Sequence, residues 1–208
     1  MNVVSGEGQR LPLSPPLSPR AAFPFSLHMT KTYDLLRNEL WLTGRGFMEA
    51  ITGLAPRQWN FQPAPGRWSI RETAEHVTLV EQGVHRLVTS RLLLSPATPE
   101  QRAQLKDRDM VVAATLFDRS RRLEAPERVR PTGRWPEAGT FRELFEQARN
   151  ATIAWIGSTD QDLRAYCFPH PILGLLDGKQ WLFFIAAHTA RHTKQILEIK
   201  AAPEWPAD

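Results

Sequence analysis

Lys179-Gln-Trp-Leu-Phe-Phe-Ile-Ala-Ala-His188-Thr-Ala-Arg-His192-Thr-Lys-Gln-Ile-Leu-Glu-Ile-Lys200 contains neither proline nor glycine, and its apolar residues recur at three- and four-residue intervals. That spacing predicts a helix from about Lys179 to Lys200, stopped by Pro203. Trp181, Ile185, His188, His192, Gln195 and Ile199 then share one face. Four residues apart, the two imidazoles have Cβ atoms about 5–6 Å from one another. They interrupt a stripe that should be buried, and a buried imidazole is costly unless something satisfies its nitrogens. A divalent metal does so; a hydrogen-bonded pair or an exposed pair are the plainer alternatives.

Working upstream, three more segments carry the same period. Thr30 to about Leu54 places Leu35, Leu36, Leu40, Leu42, Phe47, Met48, Ile51 and Leu54 at helical spacing, closed by Pro56. Ser69 and Glu72 match a capping box, in which each side chain satisfies a free N–H at the helix start, and an apolar face follows from Ile70 to about Leu94. Thr140 is the expected cap of a third long helix, with Phe141, Leu144, Phe145, Ala148, Ile153 and Trp155 inward and Gly157-Ser-Thr-Asp160 as its end. No segment alternates convincingly as a strand, so residues 167–178 read as irregular. The fold class is all-α: a four-helix bundle with a long crossover between helices 2 and 3. Residues 96–140 form that crossover, with a short helix expected between Thr98 and Ser120. A connection this long is uncommon in a compact domain unless it spans a bundle or covers a site.

Residues 1–28 stand apart, with five prolines and no periodicity. They read as a disordered tail, or as sequence upstream of a true start at Met29, leaving 29–202 as the domain and 203–208 as a short tail. With 42% apolar and 23% charged residues in 208, the chain has globular composition. Cys167 is the only cysteine, which excludes a disulfide scaffold and fits a reducing, cytoplasmic setting. No apolar run is long enough for a transmembrane helix, so no membrane partner is expected. The net charge of +4 comes from arginines interspersed with acids, which describes a solvated surface and not a nucleic-acid track.

A metal needs a third protein ligand, and His76 lies two turns into the second helix on its inward face. His85, nine residues on, falls about 180° away on a 3.6-residue helix and is expected to point outward. Competing motifs are absent. Between the two histidines of the last helix stand Thr189, Ala190 and Arg191, so a zincin glutamate is missing, and there is neither a phosphate-binding glycine loop nor a G-x-S-x-G elbow. Cys167 reads as a packed thiol.

Two stretches also resemble a known family. Gly66-Arg-Trp-Ser-Ile-Arg-Glu-Thr-Ala-Glu-His76 is similar to the opening of the second helix in DinB-like proteins. His170-Pro-Ile-Leu-Gly174, followed by Gln180-Trp181 and by His188 to Ile196, resembles the end of that domain. The resemblance spans roughly Met29 to Lys200. It implies a four-helix bundle holding a divalent metal, zinc or nickel, on three histidines, which at matching positions are His76, His188 and His192. It also implies metal-dependent transferase chemistry, in which the ion binds a low-molecular-weight thiol that attacks an electrophilic substrate. A hydrolase using water, and a non-catalytic metal- or small-molecule-binding stress protein, are the alternatives. Gln195, Arg191 and His170 are weaker site candidates: Gln195 as an outer partner or substrate contact or as a cap on its own helix face, Arg191 as a carboxylate contact or a surface arginine, and His170 as pocket lining or a structural loop residue. A homodimer is a further expectation.

Overall fold

The computed structural model describes residues 33–120, 123–135 and 137–207. The proline-rich head, residues 1–28, and the expected starts at Met29 and Thr30 lie outside these residues. Four long helices dominate: α1 (Asp34–Ile51), α3 (Ile70–Arg86), α6 (Ala138–Ser158) and α7 (Gly178–Lys200). Short helices α2 (Pro56–Asn60), α4 (Pro99–Leu105) and α5 (Asp109–Phe117) sit in the connections. In the bundle α1 and α3 each pack against both α6 and α7, while α5 lies on α7.

The caps behave as the sequence predicts at α3. Ser69 Oγ accepts the Glu72 N–H while the Glu72 carboxylate accepts the Ser69 N–H at 2.8 Å. Asp177 and Gln180 repeat this arrangement at the start of α7. Beyond Arg86 the chain stays helical but widens into a π turn (Leu87–Arg91) and tightens into a 3₁₀ turn (Leu92–Leu94). Three expectations change. The Thr98–Ser120 helix is two helices broken at residues 106–108, α6 begins before Thr140, at Ala138, and residues 167–178 are not irregular. There β1 (Cys167–His170) pairs antiparallel with β2 (Gly174–Asp177), Cys167 opposite Asp177. Gly174, at φ +74°, makes the turn, and four-residue strands are too short for a visible alternation.

The core has two apolar halves. One is built around Leu40, Val84, Leu92, Leu176, Leu182 and Ile185, the other around Phe47, Ile70, Val77, Phe141, Phe145 and Ile196. Between them runs a buried polar layer that the helical periodicity does not reveal. Arg149 of α6 donates to both carboxylate oxygens of Glu81 of α3 (2.7 and 2.8 Å), to the Leu40 carbonyl and Thr43 Oγ1 of α1, and to Thr189 Oγ1 of α7. One guanidinium thus touches all four helices. Gly44 allows this approach, because a Cβ there would lie 3.3 Å from Arg149 Nη1. At the C-terminus Trp205 packs edge-on against Phe61, 5.6 Å between centroids.

Candidate metal centre

α7 presents His188 and His192 one turn apart, and α3 brings His76 against them. The ring centroids are 4.5 Å apart for His188–His192, 4.9 Å for His76–His192 and 5.0 Å for His76–His188. All three rings are buried, and the three candidate ligand nitrogens lie within 4.8 Å of one another. Among the described residues this is the one group of three or more His, Cys, Asp or Glu side chains so arranged.

The hydrogen bonds decide which nitrogen faces the cluster. His76 Nδ1 lies 2.8 Å from the Val129 carbonyl, which can only accept, so Nδ1 carries the proton and Nε2 keeps its lone pair. For His192 the assignment passes through three residues. Thr73 Oγ1 donates to the Ser69 carbonyl (2.8 Å) and so accepts from the Gln195 amide nitrogen (3.4 Å). The Gln195 amide oxygen therefore faces His192 Nδ1 at 2.9 Å and takes its proton. His192 Nε2 is left as the acceptor. Gln195 thus faces His192 from one turn further along the same helix.

His76 Nε2 and His188 Nε2 stand 3.1 Å apart. Two nitrogens bound tetrahedrally at 2.0–2.1 Å to one ion are about 3.3 Å apart, so the donor pair fits a divalent metal of zinc's size. Burial pushes all three imidazoles below their ordinary range. For His188 the neighbouring His192 and His76 add to it, whereas for His76 the Val129 carbonyl partly opposes it. Neutral imidazole is the ligand form. Trp68, whose ring lies 5.0 Å from that of His76, closes one side.

The other candidates separate. His170 is outside the triad: its ring lies tilted, 4.5 Å from that of Phe184, which in turn lies 5.2 Å from His188. His170 Nδ1 accepts the N–H groups of Ile172 and Leu173, each at 3.1 Å, which pins the hairpin turn and leaves the proton on Nε2. Burial, with the Arg128 charge, pushes it down to about 4. Arg191 is neither exposed nor aimed at the triad. It is 7% exposed and donates to the Leu116 and Asp118 carbonyls, capping the end of α5. His85 is half-buried rather than outward, bonded to Thr152 Oγ1 of α6 at 3.0 Å. Cys167 is buried in β1, and burial pushes its thiol up. Of Trp59, Trp68 and Trp181, only Trp68 borders the triad; Trp181 lies tilted against His170 and Trp59 stacks on Phe141. Sequence reasoning missed Val129 and Thr73. A backbone carbonyl has no sequence signature, and Thr73 is an ordinary residue in an amphipathic helix.

A helical bundle with a long crossover between its second and third long helices, carrying three converging neutral imidazoles, defines a class of candidate metalloproteins. The chain belongs to the DinB superfamily, whose family model matches residues 40–196. A curated relative, the uncharacterized protein YuaE of Bacillus subtilis (strain 168), is 25% identical over 150 residues, covering 72% of this chain and 88% of the relative. Two solved structures share the fold. TT2238, a four-helix bundle protein, aligns at TM-score 0.50 and 18% identity over 80% of this chain and 99% of its own. YfiT from Bacillus subtilis, described as a probable metal-dependent hydrolase with an unusual four-helix bundle topology, aligns at TM-score 0.54 and 13% identity over 91% and 95%. No helix among the described residues is long and apolar enough to cross a membrane.

Proposed function

We propose that this chain is a metal-dependent enzyme in which His76, His188 and His192 hold a divalent ion, zinc or nickel. The observation that carries this is the convergence of three buried neutral imidazoles, two of them with Nδ1–H bonds that direct Nε2 inward. Bound there, the ion supplies Lewis acidity that lowers the pKa of a small nucleophile. The chain's residues do the rest: Val129 and Gln195 hold the tautomers, Trp68 and Phe184 keep water from the flanks, and His170 stays neutral. The nucleophile is a low-molecular-weight thiol in the transferase reading, and an electrophilic small molecule is the substrate. Cys167 does not serve, since it is buried in β1 with its thiol pushed up, so the thiol comes from solution. A second reading, hydrolysis with water as nucleophile, is supported by the fold likeness to YfiT and that protein's description.

Elemental analysis of protein expressed with zinc or nickel tests the site: about one ion per chain is expected, and His188→Ala should lose most of it. Metal content far below stoichiometric in the unaltered protein refutes the reading. Loaded protein is then offered an activated electrophile with and without bacillithiol, mycothiol or glutathione. A thiol adduct supports transfer, and a thiol-independent product supports hydrolysis. No rate above the metal-free control points to a non-catalytic binding protein.

A further inference from the structure

Resting on the metal reading above, we propose that Glu75 is a positioning residue that clamps the crossover so that the Val129 carbonyl can hold His76 in its ligand tautomer. Glu75 precedes His76 on α3, and its side chain is 1% exposed. One carboxylate oxygen accepts the Thr132 N–H at 2.8 Å and the other the Gly133 N–H at 2.9 Å. The Arg134 guanidinium (3.3 Å) and the Thr132 hydroxyl (3.4 Å) add two further donors. Two successive backbone N–H groups around an anion form a concave nest, which here needs Gly133 at φ +76°. Three residues upstream of this nest the same strand of loop delivers the Val129 carbonyl to His76 Nδ1. A 3₁₀ turn over Glu127–Val129 stiffens that carbonyl, through Val129 N–H to Pro126 O (3.0 Å) and Arg130 N–H to Glu127 O (3.1 Å).

The crossover runs more than forty residues from the end of α3 to α6, and an unanchored loop of that length samples many positions of each carbonyl. Fastened to Glu75 on one side and His76 on the other, residues 126–134 become a strap of defined place. The partner on a ligand's second nitrogen sets its tautomer and ring orientation, and losing such a partner typically lowers metal affinity 10–100-fold. Glu75 acts on the metal through that partner without touching the ion.

Glu75→Ala and Glu75→Gln in the full chain test this with two readouts. Zinc affinity is measured by competition with a chromophoric chelator, and amide hydrogen exchange of Thr132 and Gly133 is followed in the metal-free protein. For Glu75→Ala the expected result is exchange at least about tenfold faster and a zinc Kd raised about 10–100-fold. Glu75→Gln, keeping one acceptor oxygen, should fall between. Where Glu75→Ala does not fold, Gly133→Pro carries the same test from the exposed side: it removes one clamped N–H and cannot adopt φ +76°. A folded Glu75→Ala protein with an unchanged Kd, beside an unaltered protein that binds zinc, overturns the proposal alone. An unaltered protein that takes up no zinc overturns the metal reading and the proposal together.

Discussion

Replacing Arg149 by methionine should be among the most damaging single changes in the bundle, and the structure says why and by how much. Methionine keeps an unbranched apolar stem but not the guanidinium, whose carbon lies 5.1 Å over the Phe145 ring. What it removes is the partner of Glu81. Thr43 and Thr189 each still donate to a carbonyl of their own helix (Glu39 at 2.7 Å, Ile185 at 2.8 Å), and the Leu40 carbonyl lies within α1. The orphan is therefore Glu81, 1% exposed, with no other hydrogen bond to its carboxylate in the described structure. Breaking a buried pair from one side costs about 3–5 kcal/mol, a large part of a domain's total stability. At about 2–4 °C per kcal/mol for a chain of this size, Tm should fall by about 6–20 °C.

The assay is equilibrium urea unfolding followed by circular dichroism with a chelator present, on the single variant and on Arg149→Met/Glu81→Leu. If the loss comes from the stranded charge, the paired change should return to within about 1 kcal/mol of the starting protein, because apolar replacements of buried pairs are often neutral. The paired variant should also still bind zinc, since Val129 and Gln195 lie outside this layer. A single variant that loses less than about 1 kcal/mol, or a paired variant as unstable as the single one, would refute the reasoning.

Gln195→Leu strips His192 Nδ1 of its acceptor; zinc affinity should drop about 10–100-fold in a chelator competition, and an unchanged affinity would show that the Thr73–Gln195 relay is idle. Gly178→Ala places a Cβ 2.7 Å from Leu92 Cδ2 and 2.8 Å from the Leu163 carbonyl. The start of α7 must then shift, at about 1–3 kcal/mol, read as a lower urea midpoint. His170, held down to about 4, stays neutral in the native state while the unfolded chain protonates near 6.5. Its contribution is intact above that pH and is lost as pH falls toward 4, by up to about 1.4 kcal/mol per unit. His170→Asn, which can still accept the two turn N–H groups, should flatten the urea-midpoint profile of metal-free protein between pH 6.5 and 4.5; parallel profiles would contradict this.

The long helices and the triad were legible because both are periodic. His188 and His192 declare a shared face by spacing alone, and the inward face of α3 selects His76 over His85. What was not legible is held by single contacts across long separations. Arg149 reads as a surface arginine because its partner lies 68 residues away, and Arg191 because the carbonyls it caps belong to α5. The β1–β2 hairpin hides because its strands span only four residues each and one of them contains Pro169.

These two kinds of information meet in the triad, on opposite nitrogens. Helical geometry brings the Nε2 atoms together, since α3 and α7 must pack to bury their apolar faces whatever the histidines do. It leaves the Nδ1 atoms undetermined, and an imidazole with a free Nδ1 can exchange tautomers and turn its lone pair away. Val129, on the crossover, removes that freedom from His76; Gln195, through Thr73, removes it from His192. For His76 the irregular crossover supplies a backbone acceptor, which the helices cannot, because their own carbonyls are already committed to their own N–H groups; for His192 a side chain of the same helix does it instead. The long, proline-interrupted connection held by Glu75 thus gives His76, and His76 alone of the two, an acceptor from outside the four helices.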